Sequence, residues 1–560
     1  MLADLDYVSH FYNGGLLMQK DSSQEVVLSR SGIELKPFYS AEDVPLEHRE
    51  RASKDPGQAP YHRGFHPSGY RSKPWRIFQL SGFGKPEDEN ERIKFLLKNG
   101  ETGFIMEHDR NTADHCYNVD HPEVVARRED VGLTGAVMQS VRDTAICMDG
   151  LPIDSSFGHA GGAVVQHAPF ALAAYWTVAK QRGFDLAKIS GTGQSDFNLT
   201  YLGCVTKEQI PTRPGLRFNA DIIEFCDQFL PRWVPVSIAG YNAADTGLTP
   251  DQELGVLFAN AVEYLDEIQR RGKVALAGAA RACGGVSFRA SIEFIEEACK
   301  MRAARLMWSD LLQRRYGIED PKIANLRIHC VTAGSKMTYQ QPLNNIVRGT
   351  LMALGAVFGG VQSLGVSGYD EALSIPSEHA HQMSVRIQQI IQEETGIANV
   401  TDPLGGSYFI ETLTAQLVEK AWEFFEDIQR QGGYLASLDS GWLHAKAAEN
   451  QYQEFMDMES GEQKVIGVNA FQDDESPFEV DGFMGTDDAF DVATHRLKEV
   501  LRTRHESAAA SALKQLESVC RGDSNIMPAM MEAVEAEVTL GEIGNVFRQV
   551  FGNWDTPIQT

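Results

Sequence analysis

A chain of 560 residues with 43% hydrophobic residues, 9% aromatics and 50 glycines has ample material for a packed interior but is too long for one ordinary core. A large barrel with appended segments, or two to four smaller domains, is expected. The formal net charge of -26 and pI near 5.0 speak against a nucleic-acid or anionic-membrane surface, which needs clustered lysine and arginine.

Residues 1–45 read as an N-terminal arm without the basic-then-apolar order of a leader, and no apolar run reaches the ~18 residues of a membrane span, so a cytoplasmic protein is expected. A polar, proline-containing stretch (44–75) follows, of the kind that wraps a surface. Over 46–405, short apolar runs recur at IFQLSGF (77–83), GFIME (103–107), AKISGTGQ (187–194), VPVSIAGY (234–241), VALAGAA (274–280), LRIHCVTAG (326–334) and VQSLGVSG (361–368). Between them lie helical periodicities such as 91–100, 251–272 and 291–315. Alternating strand and helix predict an α/β fold with a parallel sheet, preferably a closed (β/α)8 TIM barrel, with a doubly wound open sheet as the alternative. Residues 406–560 read as a mostly helical C-terminal extension: an amphipathic helix (415–433), a short strand (461–472), an acidic loop (472–488) and helices over 489–552.

The run WVPVSIAGYNAADTG (233–247) ends an apolar strand in a polar cluster. In a barrel, Gly240, Tyr241, Asn242 and Asp245 would face a pocket beside Gln194 and Leu80; the plain alternative is a strand-to-helix turn capped by Asn and Asp. SGTGQSD (190–196) lacks the third glycine of a dinucleotide loop and a phosphate-binding lysine, so a tight turn is expected. Glu107, His108, Asp109, Asp114, His115 and Cys116 cluster in sequence, but their spacing matches no metal motif and no metal site is expected. His379 and His381, on a polar helical stretch, read as solvated and without a role. Eight cysteines stand singly, as free thiols in a reducing compartment.

The segments RGFHPSGYRSKPWRIFQLSGF, DVGLTGAV, GTGQSD, VSIAGY, MRAARLMW, NNIVRGTLMA, QSLGVSGYDEAL, TDPLGGSYFIE and VIGVNAF follow one another from residue 63 onward. In this order they resemble the substrate-binding chain of the adenosylcobalamin-dependent acyl-CoA mutases, typified by methylmalonyl-CoA mutase. The resemblance covers the chain from about residue 30. It implies a barrel whose axis holds an acyl thioester and whose mouth is capped by a cobalamin-carrying domain. No D-x-H-x-x-G occurs in the sequence, so the cobalt's lower ligand is expected from a separate small subunit, in a hetero-tetramer or larger assembly. In such enzymes the cobalt–carbon bond breaks homolytically, the 5′-deoxyadenosyl radical takes a substrate hydrogen, and a group migrates between neighbouring carbons. The roles carried over are catalytic for Asn242, Tyr241 and Gln194. Leu80, Glu107, Cys204, Ser68 and Lys73 are expected to bind substrate, and Glu371, Gln362, Ala372, Asp245 and His329 the cofactor.

The departures narrow the substrate. Leu80 stands where methylmalonyl-CoA mutase has a tyrosine, and Cys204 where it has the arginine that pairs the substrate carboxylate. A neutral thiol cannot make that charge-assisted bond, so methylmalonyl-CoA is not the expected substrate. Relatives acting on isobutyryl-CoA or 2-hydroxyisobutyryl-CoA are nearer, and Glu107 falls where hydroxyacyl mutases carry an aspartate that binds the substrate hydroxyl. Its plain alternative is pairing with Arg110 or Lys94. Asn242 replaces a histidine that bonds the thioester carbonyl; it can donate a neutral hydrogen bond but cannot carry a proton. Lys73, Phe78 and Cys283 or Gly285 stand where phosphate contacts are expected, with Arg281 or Arg289 as substitutes. The expected function is thus a mutase large subunit for a hydroxylated or branched acyl-CoA. A mutase for a non-CoA carrier or bulky acyl group, or a non-catalytic paralogue serving binding or assembly, are the alternatives.

Overall fold

A computed structural model describes residues 26–162, 164–473, 483 and 486–557. A small antiparallel pair, β1 (Val27–Leu28) and β2 (Glu34–Leu35), belongs to the arm. The remaining strands are β3 (Arg76–Ile77), β4 (Gly103–Ile105), β5 (Phe157–His159), β6 (Ser190–Thr192), β7 (Trp233–Val234), β8 (Ile238–Ala239), β9 (Gly285–Ala290), β10 (Arg327–Thr332) and β11 (Ser363–Gly365).

They pair in parallel in two arcs, β4-β5-β6-β7 and β3-β11-β10-β9-β8. The arcs meet where β7 runs into β8 as one broken strand, and where the Thr102 amide donates to the Ile77 carbonyl at 3.1 Å. Eight staves, the first paired with the last, thus stand around one axis: the fold is a (β/α)8 barrel.

Helices fill the returns. Pro250–Arg271 shows why these segments are helical. Thr249 and Gln252 form a capping box, proline occupies the first position, and Gly272 ends the helix at φ 64°, a left-handed stop that glycine adopts without penalty. The apolar face of Tyr408–Arg430 lies across Pro250–Arg271 and Phe294–Tyr316, so the C-terminal segment shares the core of the barrel's helical shell. Buried ion pairs set that packing. Lys300 bonds Glu253 and Glu297, each at 2.5 Å, while Arg302 joins Asp402 and Glu411.

Several expectations are corrected. VALAGAA forms no strand: Leu276–Cys283 is a helix, because an alanine-rich apolar run carries helix propensity that hydrophobicity alone does not reveal. The missing staves are β5, hidden in the glycine-rich SFGHAGG, and β9, whose GVSFRA alternates small and apolar residues. Residues 461–472 make only an isolated bridge between Ile466 and Ala470. There Asn469 folds the backbone on itself, accepting from Val465 N at 2.7 Å and donating to the Met458 and Gln463 carbonyls. Most of the acidic loop expected over 472–488 lies outside the described residues.

Barrel interiors are usually plugged by bulky branched side chains. Here the strands alternate differently: Ser190 and Thr192, Gly285 and Ser287, His329, Ser363 and Gly365 line the axis among a few larger residues such as Phe78 and Phe157, while Phe288, Cys330 and Leu364 pack outward into the shell. Small polar inward residues leave the axis open.

Candidate active site

The open axis is a cavity of about 1000 Å³ running from one end of the strands to the other. Six residues of β10 at about 3.3 Å each give a bore roughly 20 Å long.

Its lower mouth, at the N-terminal strand ends, is basic. Arg76, Arg232 and Arg327 line it, and a chamber of about 300 Å³ that shares Arg76 and Arg327 adds Lys73, Arg305 and Arg63, the last paired with Asp402 at 2.8 Å. Arg76 stacks on Phe157 at 4.7 Å. Burial, and for Arg327 the neighbouring Arg281 and Arg76, lower the guanidinium pKa values, with no carboxylate set against either among the described residues. Such a cluster is poised for an anion. Of the substitutes expected from sequence, Arg281 stands beside Arg327 and bonds the Pro231 carbonyl at 2.7 Å, whereas Arg289 sits at the opposite end of β9 on Ala244 O and Asp245. Phe78 lines the bore beside His329, Cys283 is buried in the core, and Gly285 lines the floor. Ser68 lies outside the lining, bonded to Ser72 and His66.

The upper mouth is built at strand C-termini. β8 turns directly into the helix Gly240–Asp245, and Gly240 is required there: a Cβ would stand 2.9 Å from Glu253 Oε1 and from the Phe288 ring. The turn is pinned by Asp196, the last residue of SGTGQSD. Its buried carboxylate accepts from Ala239 N at 3.1 Å, Asn198 N at 2.9 Å, Asn260 at 2.8 Å and the Tyr264 hydroxyl at 3.1 Å. Burial still raises its pKa to about 6, against those bonds. Gln194, Tyr241 and Asn242 are thereby set on the cavity wall. Asn242 Oδ1 is buried without a partner, so the amide is held by packing and keeps its hydrogen-bonding capacity for a ligand. Asp245 stands just behind the wall, accepting from Ser335 at 2.8 Å and Arg289 at 3.2 Å.

Glu371 and Ala372 also line this end. Glu371 is exposed at this open mouth, yet desolvation by the protein packed around it, with Asp370 and Asp245 adding, raises its carboxyl to about 7. It stands 3.0 Å from where a Cβ on Gly334 would be; only glycine leaves that space.

Leu80 exposes 55% of its surface at the cavity. Its carbonyl accepts from His381 Nε2 at 3.1 Å, and His381 Nδ1 accepts from Arg92 at 3.0 Å. Arginine cannot accept a bond, so the tautomer is settled and the ring is neutral. Burial lowers its pKa to about 3, with Arg92 adding to the effect. His381, expected as solvated, is therefore corrected to a buried support of the Leu80 loop: the helix Glu378–Glu393 turns that face inward while His379 stays exposed.

The cluster 107–116 is divided among tasks. Asp109 caps the helix Arg110–Ala113, His108 packs against His167, and His115 stacks on Tyr117. Cys116 is buried. Glu107 and Arg110 line the cavity. Cys204 lies half-buried beside Arg110.

Two residues expected at the cofactor lie elsewhere. Gln362 precedes β11 and so belongs to the lower end, where it bonds Ile328 N and Gly360 O, each at 2.8 Å; a residue before a parallel strand cannot reach the face formed after it. His329 is mid-bore, bonded to Ser363 at 2.9 Å.

A family model described as methylmalonyl-CoA mutase matches residues 28–553. The chain is 35% identical to the 2-hydroxyisobutanoyl-CoA mutase large subunit of Aquincola tertiaricarbonis, over 97% of this chain and 96% of that one. It is 33% identical to the methylmalonyl-CoA mutase of Rhizobium meliloti, covering 93% of this chain and 72% of the relative. The corresponding Escherichia coli K12 enzyme is 32% identical over 94% and 72%. An axial bore, anion-ready at one end and lined by Gln194, Tyr241, Asn242 and Glu371 at the other, agrees with this, and the chain belongs to the methylmalonyl-CoA mutase family of adenosylcobalamin-dependent isomerases.

Proposed function

We propose that this chain is the large, substrate-binding subunit of an acyl-CoA mutase whose substrate carries a hydroxylated or branched acyl group, not methylmalonyl-CoA. The observation that carries the reading is the bore itself. Its basic lower mouth suits the phosphates of CoA, its long wall of small polar residues set among Phe78, Phe157 and Val331 suits an extended thioester arm, and its upper pocket sets Leu80 with Glu107 and the Asp114-paired Arg110, with Cys204 beside that arginine. The three arginines of the lower mouth favour CoA over a carrier without a nucleotide.

The upper residues fit adenosylcobalamin. Glu371, flanked by Gly334 and Ala372, offers a carboxyl to ribose hydroxyls across a surface cleared of side chains, with Tyr241 and Gln194 opposite. When bound, the cofactor supplies the adenosyl radical that takes a substrate hydrogen. The chain does the rest. Asn242 donates to the thioester carbonyl, and its neutrality restricts it to polarising that oxygen rather than delivering a proton. Leu80 and Tyr241 exclude water from the reacting carbons. Asp245, through Arg289 and Ser335, keeps the Gly240–Asp245 turn in place.

That the chain covers 96% of a relative named a large subunit supports a separate small subunit that supplies the cobalt's lower ligand, in a hetero-tetramer or larger. Eight free cysteines support a cytoplasmic setting, and no described helix is long and apolar enough to cross a membrane.

The test is to incubate the chain with a cobalamin-binding partner, adenosylcobalamin and a panel of acyl-CoAs: methylmalonyl, isobutyryl, pivalyl, 2-hydroxyisobutyryl and 3-hydroxybutyryl. Mass-spectrometric isomerisation of a hydroxylated or branched member is expected. Silence across the panel beside an active control mutase, or conversion of methylmalonyl-CoA alone, overturns the reading.

A further inference from the structure

Resting on the acyl-thioester reading above, we infer that Arg110, neutralised by Asp114 and set beside Glu107, selects the acyl chain: it admits a neutral hydroxylated group and rejects a carboxylate.

Arg110 begins the short helix Arg110–Ala113 just beyond β4. Its Nε and Nη2 both bond Oδ2 of Asp114, at 2.8 and 2.7 Å. An i,i+4 pair on an open helix surface would be worth little. This one is different in place: the Asp114 side chain is 8% exposed, while the Arg110 side chain keeps 29%, turned to the cavity that Arg110 lines. Asp114 is itself anchored from below. Its carbonyl accepts from Gln166 Nε2 at 2.7 Å, and Gln166 Oε1 accepts from Ile210 N at 3.0 Å.

The guanidinium is therefore held along its Nε–Nη2 edge, with Glu107 and Cys204 as its other neighbours. Glu107 lies three residues earlier at the end of the same strand and lines the same wall. Its carboxyl makes no hydrogen bond to another described side chain, and its backbone is held by Glu89 at 3.4 Å.

One positive group thus stands between two carboxylates. Asp114 already balances the guanidinium and Glu107 adds a second carboxyl, so a substrate carboxylate entering the cluster finds no free positive charge where an unpaired arginine would have welcomed it. A hydroxyl meets a matched pair, an acceptor on Glu107 and a donor on Arg110, and leaves neither buried group unpaired. The apolar Leu80 side chain lines the same cavity and gives a carboxylate no alternative partner. The arginine that methylmalonyl-CoA mutase carries at the position of Cys204 is thus replaced by one on the short helix after β4, whose charge is already matched.

The experiment measures equilibrium binding of isobutyryl-CoA, 2-hydroxyisobutyryl-CoA and methylmalonyl-CoA to the full chain, as wild type, Arg110→Gln and Asp114→Asn. Wild type should bind the hydroxylated form about tenfold tighter than isobutyryl-CoA and methylmalonyl-CoA weakest. Arg110→Gln should lose the preference for the hydroxyl while keeping isobutyryl-CoA affinity, which also reports that the fold is intact. Asp114→Asn frees the guanidinium and should raise methylmalonyl-CoA affinity about tenfold, a gain that loss of structure cannot produce. Ratios unchanged within about twofold in both variants, or wild type binding methylmalonyl-CoA as tightly as the neutral forms, overturn the inference. If wild type binds none of the three, the acyl-thioester reading falls and this inference with it; unchanged ratios on a chain that binds them all overturn the inference alone.

Discussion

The two mouths of the bore are made from the same eight strands and differ in almost every other respect. At the lower mouth Arg76 and Arg327 have no carboxylate partner among the described residues and rest on an aromatic ring and backbone carbonyls. At the upper mouth the positive groups are already engaged, Arg110 by Asp114, Arg289 by Asp245 and Arg92 by His381 and the Pro376 carbonyl, and the other groups facing the cavity include an amide, a glutamine, a tyrosine and two carboxyls of raised pKa. On the reading proposed above, binding and chemistry are thereby separated along one axis. Uncompensated charge, which attracts an anion strongly, is kept about 20 Å from groups whose task needs neutral, directional hydrogen bonds.

Three changes break or sharpen that contrast. Asn242→Ala removes the preorganised donor of the upper mouth and should cost about 3 kcal/mol of transition-state stabilisation, on the order of a hundredfold in kcat, with a far smaller change in substrate affinity. Steady-state turnover beside equilibrium binding checks this; unchanged kcat would remove Asn242 from the mechanism. Arg327→Ala should act oppositely, weakening CoA binding by about 1.5–3 kcal/mol while leaving the affinity of the corresponding acyl-pantetheine, which lacks the nucleotide, unaltered. Equal losses for both ligands would show that the lower mouth does not read phosphate.

The smallest effect concerns the titration of Glu107. Burial raises its carboxyl from 4.5 to about 7, with Asp114 adding and Arg110 opposing. The unfolded chain releases that proton near 4.5 and the folded chain only near 7, so the contribution to stability is complete below the lower value and is lost as pH rises through the upper one. Glu107→Gln abolishes the dependence. Between about pH 5 and about pH 8 the thermal midpoint of wild type should therefore fall relative to the variant by about one to two degrees, read by calorimetry at several pH values. A constant difference would mean that Glu107 titrates normally.

The parts of this site that were legible in the sequence are those where a motif is local. VSIAGYN, GTGQSD and DEAL each place a strand end and its polar residues in a few positions, and Tyr241, Asn242, Gln194 and Glu371 were found from them. What stayed hidden was assembled from distance. Arg76, Arg232 and Arg327 lie on three different staves and read as scattered charges until the barrel gathers them. His381 looked solvated because its helix is polar overall, and only its placement over Leu80 buries it. Arg110 was visible as a plausible partner for Glu107, but its saturation by Asp114 depends on which edge of the guanidinium the cavity leaves open. Gln362 was misplaced because sequence order shows that a residue is near a strand but carries no mark of which mouth it serves unless the strand's limits are known.

By itself the sequence determined the alternation of strand and helix, the family to which the motifs belong, and the substitutions at Leu80, Cys204 and Asn242 that set this chain apart, since all of these rest on residue identity and short spacing. The tertiary structure alone decided that the barrel axis is open, that its two ends differ in how their charges are balanced, and that Arg110 beside Glu107 is already matched by Asp114. Those properties are sums over side chains from staves far apart in the chain, and hydrogen-bond geometry and burial, which no linear pattern records, decide their sign.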